Sequence, residues 1–299
     1  MPEEIIIDSD TLRWHHFADP DDPELTVLAA QYKLHELAIE DCLSVSQRPK
    51  MDDYGHFLFF IFNTLHWREK DESLILGKIG VFAGDRFVVT ITDGESRTVD
   101  FVRAKCRSGT AYETPDRLVH ALLDTVCDQF QPLVDLIAED IAEVESAIYE
   151  RVEPALTKRA YGVKRVLMTL RRTAAAHREI INQLLRRQPP FVGPNVTLYF
   201  RDIYDHLLLA LELIESNRDL VLGIMDLNLS ATAYKTNEIV KVLTMYATLL
   251  LPLNLITGFF GMNFPQMPLL RERFGLPLVC LVMLITTIMI SRYLRTREW

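Results

Sequence analysis

The stretch whose reading decides the fold is Asn237–Phe264, NEIVKVLTMYATLLLPLNLITGFFGMNF. It lies across a run of 29 residues, Val242–Leu270, that contains no charged side chain. The section LTMYATLLLPLNLITGFF is apolar on every face, which excludes an amphipathic surface helix. A second uncharged run, Phe274–Ser291, holds 18 residues. At about 1.5 Å per residue it reaches roughly 27 Å, close to the ~30 Å hydrocarbon thickness of a bilayer. Two membrane spans are therefore expected, at about 240–260 and at 275–292. The segment 263–274 between them, with Asn263, Pro265, Gln266 and Pro268, reads as a short outer loop. The spans form a transmembrane helical hairpin with both chain ends on one side. Lys235 and Lys241 precede the first span, and a basic tail at 293–299 carries Arg295 and Arg297. The loop offers only Arg271 and Arg273 against Glu272, so the positive-inside rule favours cytoplasmic termini. The opening MPEEIIIDSD has no export-signal pattern, which again keeps the body cytoplasmic.

Upstream, nothing forces a stop between the break QPPFVGPN at Gln188–Asn195 and the first span. One helix from about Val196 to Gly258 would be roughly 95 Å long, longer than a small domain is wide. It reads as a stalk, within a segment 195–262, that carries the first span down into the cytoplasm. Pro252 should kink it, which a membrane helix tolerates when neighbours re-satisfy the backbone.

The body before the stalk is acidic. Residues 1–236 hold 38 acids against 26 bases, whereas 237–299 hold 3 against 6. An acidic body argues against nucleic acid as a partner, because phosphate binding needs a basic face. Residues 1–112 read as an α/β domain, with strands at His56–Leu65, Lys78–Ala83 and Arg86–Thr92 and helices near Glu24–Tyr32 and Glu36–Leu43. The sheet should be antiparallel or mixed, because the links between the later strands are too short for crossovers. Residues 113–194 read as an antiparallel helix pair parted at Pro154. One arm, Asp124–Glu153, has nine acids and one base; the other, Lys158–Arg187, has nine bases and one acid. Such blocks either pair with each other or attract cations at the acidic arm.

The four cysteines form no C-x-x-C pair and suit a reducing compartment. The chain has no Gly-rich phosphate loop, no nucleophile elbow and no H-E-x-x-H, so an enzyme is not expected. His15-His16 reads as a surface pair.

Two spans cannot enclose a polar path, so conduction would require several copies around an axis, with the first span as lining. Asn237, Thr244 and Leu251 recur every seven residues, compatible with one stripe facing that axis. A threonine in a span more often hydrogen-bonds within its own helix.

Gly261-Met262-Asn263 directly after an apolar span, then a short loop and a last span, resembles the signature of the CorA family of divalent-cation channels. Asn237–Phe264 resembles that family's first span throughout. RDIYDH at Arg201–His206, QRPK at Gln47–Lys50 and IEDCL at Ile39–Leu43 are similar as well. The resemblance implies a homopentameric funnel: an α+β cytoplasmic domain, long stalk helices and the two-helix hairpin, in a cell (inner or plasma) membrane. It implies passive transport of Mg²⁺, with Co²⁺ or Ni²⁺ as further cargo, and no organic cofactor. Its partners are further copies of itself, the lipid bilayer and divalent cations.

By the same resemblance, Gly261, Met262 and Asn263 form the selectivity filter at the outer mouth. Asn254, Leu251, Leu243 and Asn237 line the pore from outside inward, Gly258 gives tight helix contacts, and Asp226 forms a charged ring below. Regulatory Mg²⁺ falls on Asp41 and Asp202 between subunits, with Glu40 and Asp124 at a second, looser position. Within the outer loop, the stretch Phe264–Leu270 departs from the family in carrying no acid, which weakens cation attraction at the entrance. A zinc transporter of the related subgroup and a membrane-anchored sensor without transport are the alternatives.

Overall fold

The computed structural model describes residues 4–44, 47–110, 112–150, 154–189, 192–262 and 274–296. The chain divides into two compact units, Met1–Met225 and Asp226–Trp299.

The first unit is built on one six-stranded sheet: β1 (Glu4–Asp8), β2 (Arg13–Phe17), β3 (Lys50–Asp53), β4 (Phe57–Arg68), β5 (Ser73–Gly84) and β6 (Phe87–Thr92). The strand order is β1-β2-β6-β5-β4-β3, and every neighbouring pair is antiparallel except β2 with β6. The sheet is thus mixed. The run Phe57–Phe62, FLFFIF, is buried on both faces of β4, which is why it reads as continuous apolar sequence. Its even positions, Leu58, Phe60 and Phe62, enter one core; its odd positions, Phe57, Phe59 and Ile61, enter the other.

The odd-numbered face is covered by α1 (Pro23–Tyr32) and α2 (Glu36–Leu43), through Leu25, Leu28, Ala38 and Cys42. Asp22 caps α1 by accepting from Glu24 N–H at 2.9 Å, with Pro23 fixing the first turn. His35 Nδ1 caps α2 by accepting from Leu37 N–H at 3.2 Å.

The other face carries α3 (Arg97–Arg107), α4 (Pro115–Cys127), α5 (Phe130–Glu150), α6 (Pro154–Arg187) and the first turns of α7 (Pro194–Phe260). The acidic stretch expected as one arm is split between α4 and α5. Gln129 lies between them, its side chain taken by β4 and α3: Oε1 accepts from Leu65 N–H and Nε2 donates to Thr98 Oγ1, both at 2.8 Å. α5 and α6 run antiparallel, since Phe130 meets His177 while Arg159 pairs with Asp140 and with Glu143, the latter at 2.7 Å.

His15 and His16 are corrected by the structure. Both lie on β2 and are buried, not surface. His15 Nε2 is 3.1 Å from Tyr32 Oη, and His16 Nδ1 is 3.0 Å from Thr90 Oγ1. These hydroxyls supply the partners that burial of an imidazole demands. Burial also holds His16 below its ordinary pKa.

The helix expected from Val196 to Gly258 is observed as α7, 67 residues without interruption, and it continues through Pro252. The second unit holds its C-terminal part and α8 (Gly275–Thr296). Both are long and apolar enough to cross a membrane, and almost none of their apolar stretch is buried within the chain. A core helix of a soluble protein would be covered.

Candidate functional site

The second unit is read from α7. At about 100° per residue, Asp226, Asn237, Leu243 and Leu251 fall with Asn254 and Gly258 inside an arc of about 120°. All six are exposed, Leu243 at 66% and Leu251 at 70%. The partly covered positions Met245, Leu249, Pro252, Leu253, Ile256 and Phe260 cluster on the opposite side of the helix. On α8 the partly covered positions are Val279, Met283, Thr286, Thr287, Ile290 and Ser291, again on one side of the helix. Each helix thus carries one partly covered stripe, and the expected lining residues lie on the exposed side of α7, opposite its own stripe.

The threonines behave as local hydroxyls. Thr244 donates to Val240 O, Thr248 to Thr244 O and Thr257 to Leu253 O, at 2.8, 2.8 and 3.0 Å. What interrupts the exposed face is therefore the two amides, Asn237 and Asn254, and the bare Gly258. Gly261 closes α7 by donating to Thr257 O at 2.9 Å, and a Cβ there would stand 3.0 Å from the same oxygen. Only glycine meets this turn without displacing that carbonyl. Met262 follows, 52% exposed. Asn263, the outer loop to 273 and the tail from 297 lie outside the described residues.

The first unit carries the acidic candidates. Glu40 and Asp41 sit in the last turn of α2, on one side of the sheet, while Asp124 and Asp202 belong to α4 and α7 on the other. Asp202 is 3.9 Å from His206, one turn on, and is exposed. His120 of α4 packs edge-on against Tyr199 and Phe200, each at 5.5 Å between ring centroids, which brings α4 and α7 together here. Burial lowers the His120 pKa, opposed by the charges of Asp124 and Asp202. Burial raises that of Asp124, with Asp128 adding to it and His120 opposing. No local pattern marks His120 and His206, because only the packing of α4 against α7 brings both within electrostatic reach of Asp124. No group of three or more metal-ligating side chains converges among the described residues.

Asp41 is already engaged. Its Oδ1 accepts from Gln47 Nε2 and its Oδ2 from Lys50 Nζ, both at 2.6 Å. Both oxygens of this carboxylate are thus taken, one by an amide and the other by an ammonium.

Residues 9–296 match the family model described as CorA-like Mg²⁺ transporter protein. This chain belongs to the CorA family. The cobalt/magnesium transport protein CorA of Thermotoga maritima is 34% identical over 275 residues, covering 90% of this chain and 77% of that protein. The zinc transport protein ZntB of Yersinia enterocolitica is 21% identical over 266 residues, covering 89% and 81%. The solved CorA magnesium transporter from Methanocaldococcus jannaschii aligns at a TM-score of 0.84 with 21% identity, over 98% of this chain and 92% of that one. The CorA fold, with its α/β domain, long helix and C-terminal apolar helix, is therefore that of this chain. Membership places it among divalent-cation transporters, with membrane-spanning helices.

Proposed function

We propose that five copies of this chain surround an axis and form a passive Mg²⁺ channel, with Co²⁺ and Ni²⁺ as further cargo. The carrying observation is the exposed stripe of α7, opposite its partly covered one, which is interrupted by Asn237, Asn254 and Gly258. One helix face backed by a second span is a single wall; rotation about an axis turns each of its residues into a ring. The relatives named for magnesium and cobalt transport support the choice of ion.

In this reading Asn263, with Gly261 and Met262 setting the turn, rings the outer mouth. Mg²⁺ gives up its waters reluctantly, so neutral amide oxygens grip the hydrated ion by accepting hydrogen bonds from those waters. Asn254 repeats this contact within the span. Leu251 and Leu243 form apolar constrictions that stop conduction by dewetting, and Asn237 and Asp226 meet the ion on the cytoplasmic side. Both termini are cytoplasmic. No organic cofactor takes part.

Asp41 and Asp202 lie on opposite sides of the sheet in one chain, so a metal held by both joins neighbouring copies. Glu40 and Asp124 supply the looser second position. Two carboxylates about 4 Å apart repel by about 4 kcal/mol at an effective dielectric of 20, and a bound Mg²⁺ converts that repulsion into a clamp. High cytoplasmic Mg²⁺ thereby holds the ring closed.

Flux into proteoliposomes tests the proposal. Mg²⁺ enters down its own gradient with no proton gradient, and Asn263→Ala abolishes entry. Zinc entry that requires an imposed proton gradient supports instead the reading suggested by the zinc-transport relative. No flux of any divalent ion leaves a membrane-anchored sensor.

A further inference from the structure

Lys50 occupies an unusual position. β3 is an edge strand, and its two-residue period places Lys50 and Asp52 on one face, opposite Ile61 and Phe59 of β4. Both of those residues belong to the core under α2, so this face meets the helix that carries Asp41. Lys50 Nζ lies 2.6 Å from Asp41 Oδ2 and 2.7 Å from Asp52 Oδ2. It also stands 5.7 Å from the centre of the Phe59 ring. Two carboxylate oxygens from separate elements thus converge on one nitrogen.

The arrangement is held from behind. Lys78 Nζ donates to the carbonyl oxygens of Asp41, Cys42 and Ser44, the first at 3.3 Å and the last at 2.6 Å. These are end-of-helix carbonyls that α2 itself cannot satisfy, and the ammonium fixes the turn that presents Asp41. Lys78 fixes the backbone, whereas Lys50 neutralises the side chains. The Lys50, Asp41 and Asp52 side chains are 35%, 20% and 41% exposed, so an ion from solution can reach them.

We propose that Lys50 is a tethered counter-cation that sets the concentration at which a divalent ion takes the Asp41–Asp52 pair. The inference rests on the reading of Asp41 as a regulatory ligand and adds Asp52 and Lys50 to that site. Two carboxylates and one ammonium leave a net charge of −1, which a divalent ion entering in place of the ammonium brings to zero. Paired hard oxygens suit Mg²⁺ or Mn²⁺ better than an ammonium does. The ammonium competes because it is tethered: a short tether holds its group at an effective concentration on the order of millimolar. A free ion must exceed that threshold before the pair changes hands. Once displaced, Lys50 swings into solvent on its flexible stem.

The test uses the full chain in detergent, with Mn²⁺ as an electron-spin-resonance probe and Mg²⁺-dependent protease protection as a second readout. Lys50→Met gains a Mn²⁺ site about tenfold tighter than any the parent shows there, and Lys50→Met/Asp52→Asn loses that gain. Lys50→Arg, which keeps the charge, behaves as the parent. The Mg²⁺ concentration giving half-maximal protection falls about tenfold in Lys50→Met. Unchanged Mn²⁺ binding in Lys50→Met, or a gain that survives Asp52→Asn, overturns the proposal. Tighter Mn²⁺ binding with an unmoved protection midpoint supports the counter-cation while removing Asp41 from gating, so the two readings fail separately. Should Lys50→Met not fold, Lys50→Gln supplies the same neutral test.

Discussion

The Asp116 carboxylate accepts a hydrogen bond from the Gly193 N–H at 2.9 Å, tying the first turn of α4 to the residue before α7 begins. Its other oxygen accepts from Thr114 Oγ1 and, at 2.9 Å, from Arg117 N–H. Asp116 is only 4% exposed, so these donors are what make a buried carboxylate tolerable. A carboxylate at a helix N-terminus also gains from the helix dipole. Asp116→Ala is expected to destabilise the protein by about 2 kcal/mol, because it strips a charged acceptor from buried donors. Asp116→Asn, which keeps one acceptor oxygen, should lose less. Thermal melting in detergent measures both; equal stability of Asp116→Ala and the parent would remove the tie from the account.

His177 predicts a pH dependence. It is fully buried between Phe62 and Phe130, its Nε2 accepts from Asn63 N–H at 3.1 Å, and burial pushes its pKa down to about 3. The unfolded chain takes up a proton near pH 6.5, whereas the folded chain refuses it until about pH 3. Stability contributed by the neutral ring is therefore complete above pH 6.5 and declines as pH falls, by at most about 1.4 kcal/mol per unit. His177→Leu should flatten this slope below pH 6.5. At pH 7.5 the same variant should be less stable than the parent, because the Asn63 N–H loses its acceptor. An unchanged slope in melting temperature between pH 5 and 6.5 contradicts this assignment.

Leu251 predicts leakage. If its ring stops ions by excluding water, Leu251→Asn hydrates the constriction without altering the partly covered side of α7. Mg²⁺ flux at high internal Mg²⁺ should then rise several-fold, while Tyr246→Asn, exposed but outside the arc, should leave the closed state intact. Equal leakage from both variants would mean that the arc is not the lining.

Much of this molecule is readable from hydrophobic pattern. The β4 run is apolar at every position because both of its faces are buried, and the apolar stretches of α7 and α8 lack charge because they are built for lipid. β2 is less readable. RWHHF offers two imidazoles that hydropathy assigns to water, and Tyr32, 17 residues from His15, and Thr90, 74 residues from His16, make their burial tolerable. The break between α4 and α5 is equally non-local, since Gln129 is claimed by Leu65 and Thr98. At the candidate sites, Asn254 stands out as an amide in an apolar run, and Asp41 stands out by motif. Lys50 closes the QRPK motif, but neither its place beside Asp41 nor that of Asp52 is legible, because their convergence on Asp41 requires the β3–β4 register.

The parallel seam between β2 and β6 also orders events during synthesis. His15 O meets Thr90 Oγ1 at a separation of 75 residues, so the amino-terminal strands emerge from the ribosome long before their neighbour exists. The β3–β4–β5–β6 meander, joined by near neighbours in sequence, can close first. β1 and β2 must then be added to its finished margin. Their wait ends well before Val242, so the sheet can be complete by the time the first lipid-seeking helix leaves the exit tunnel.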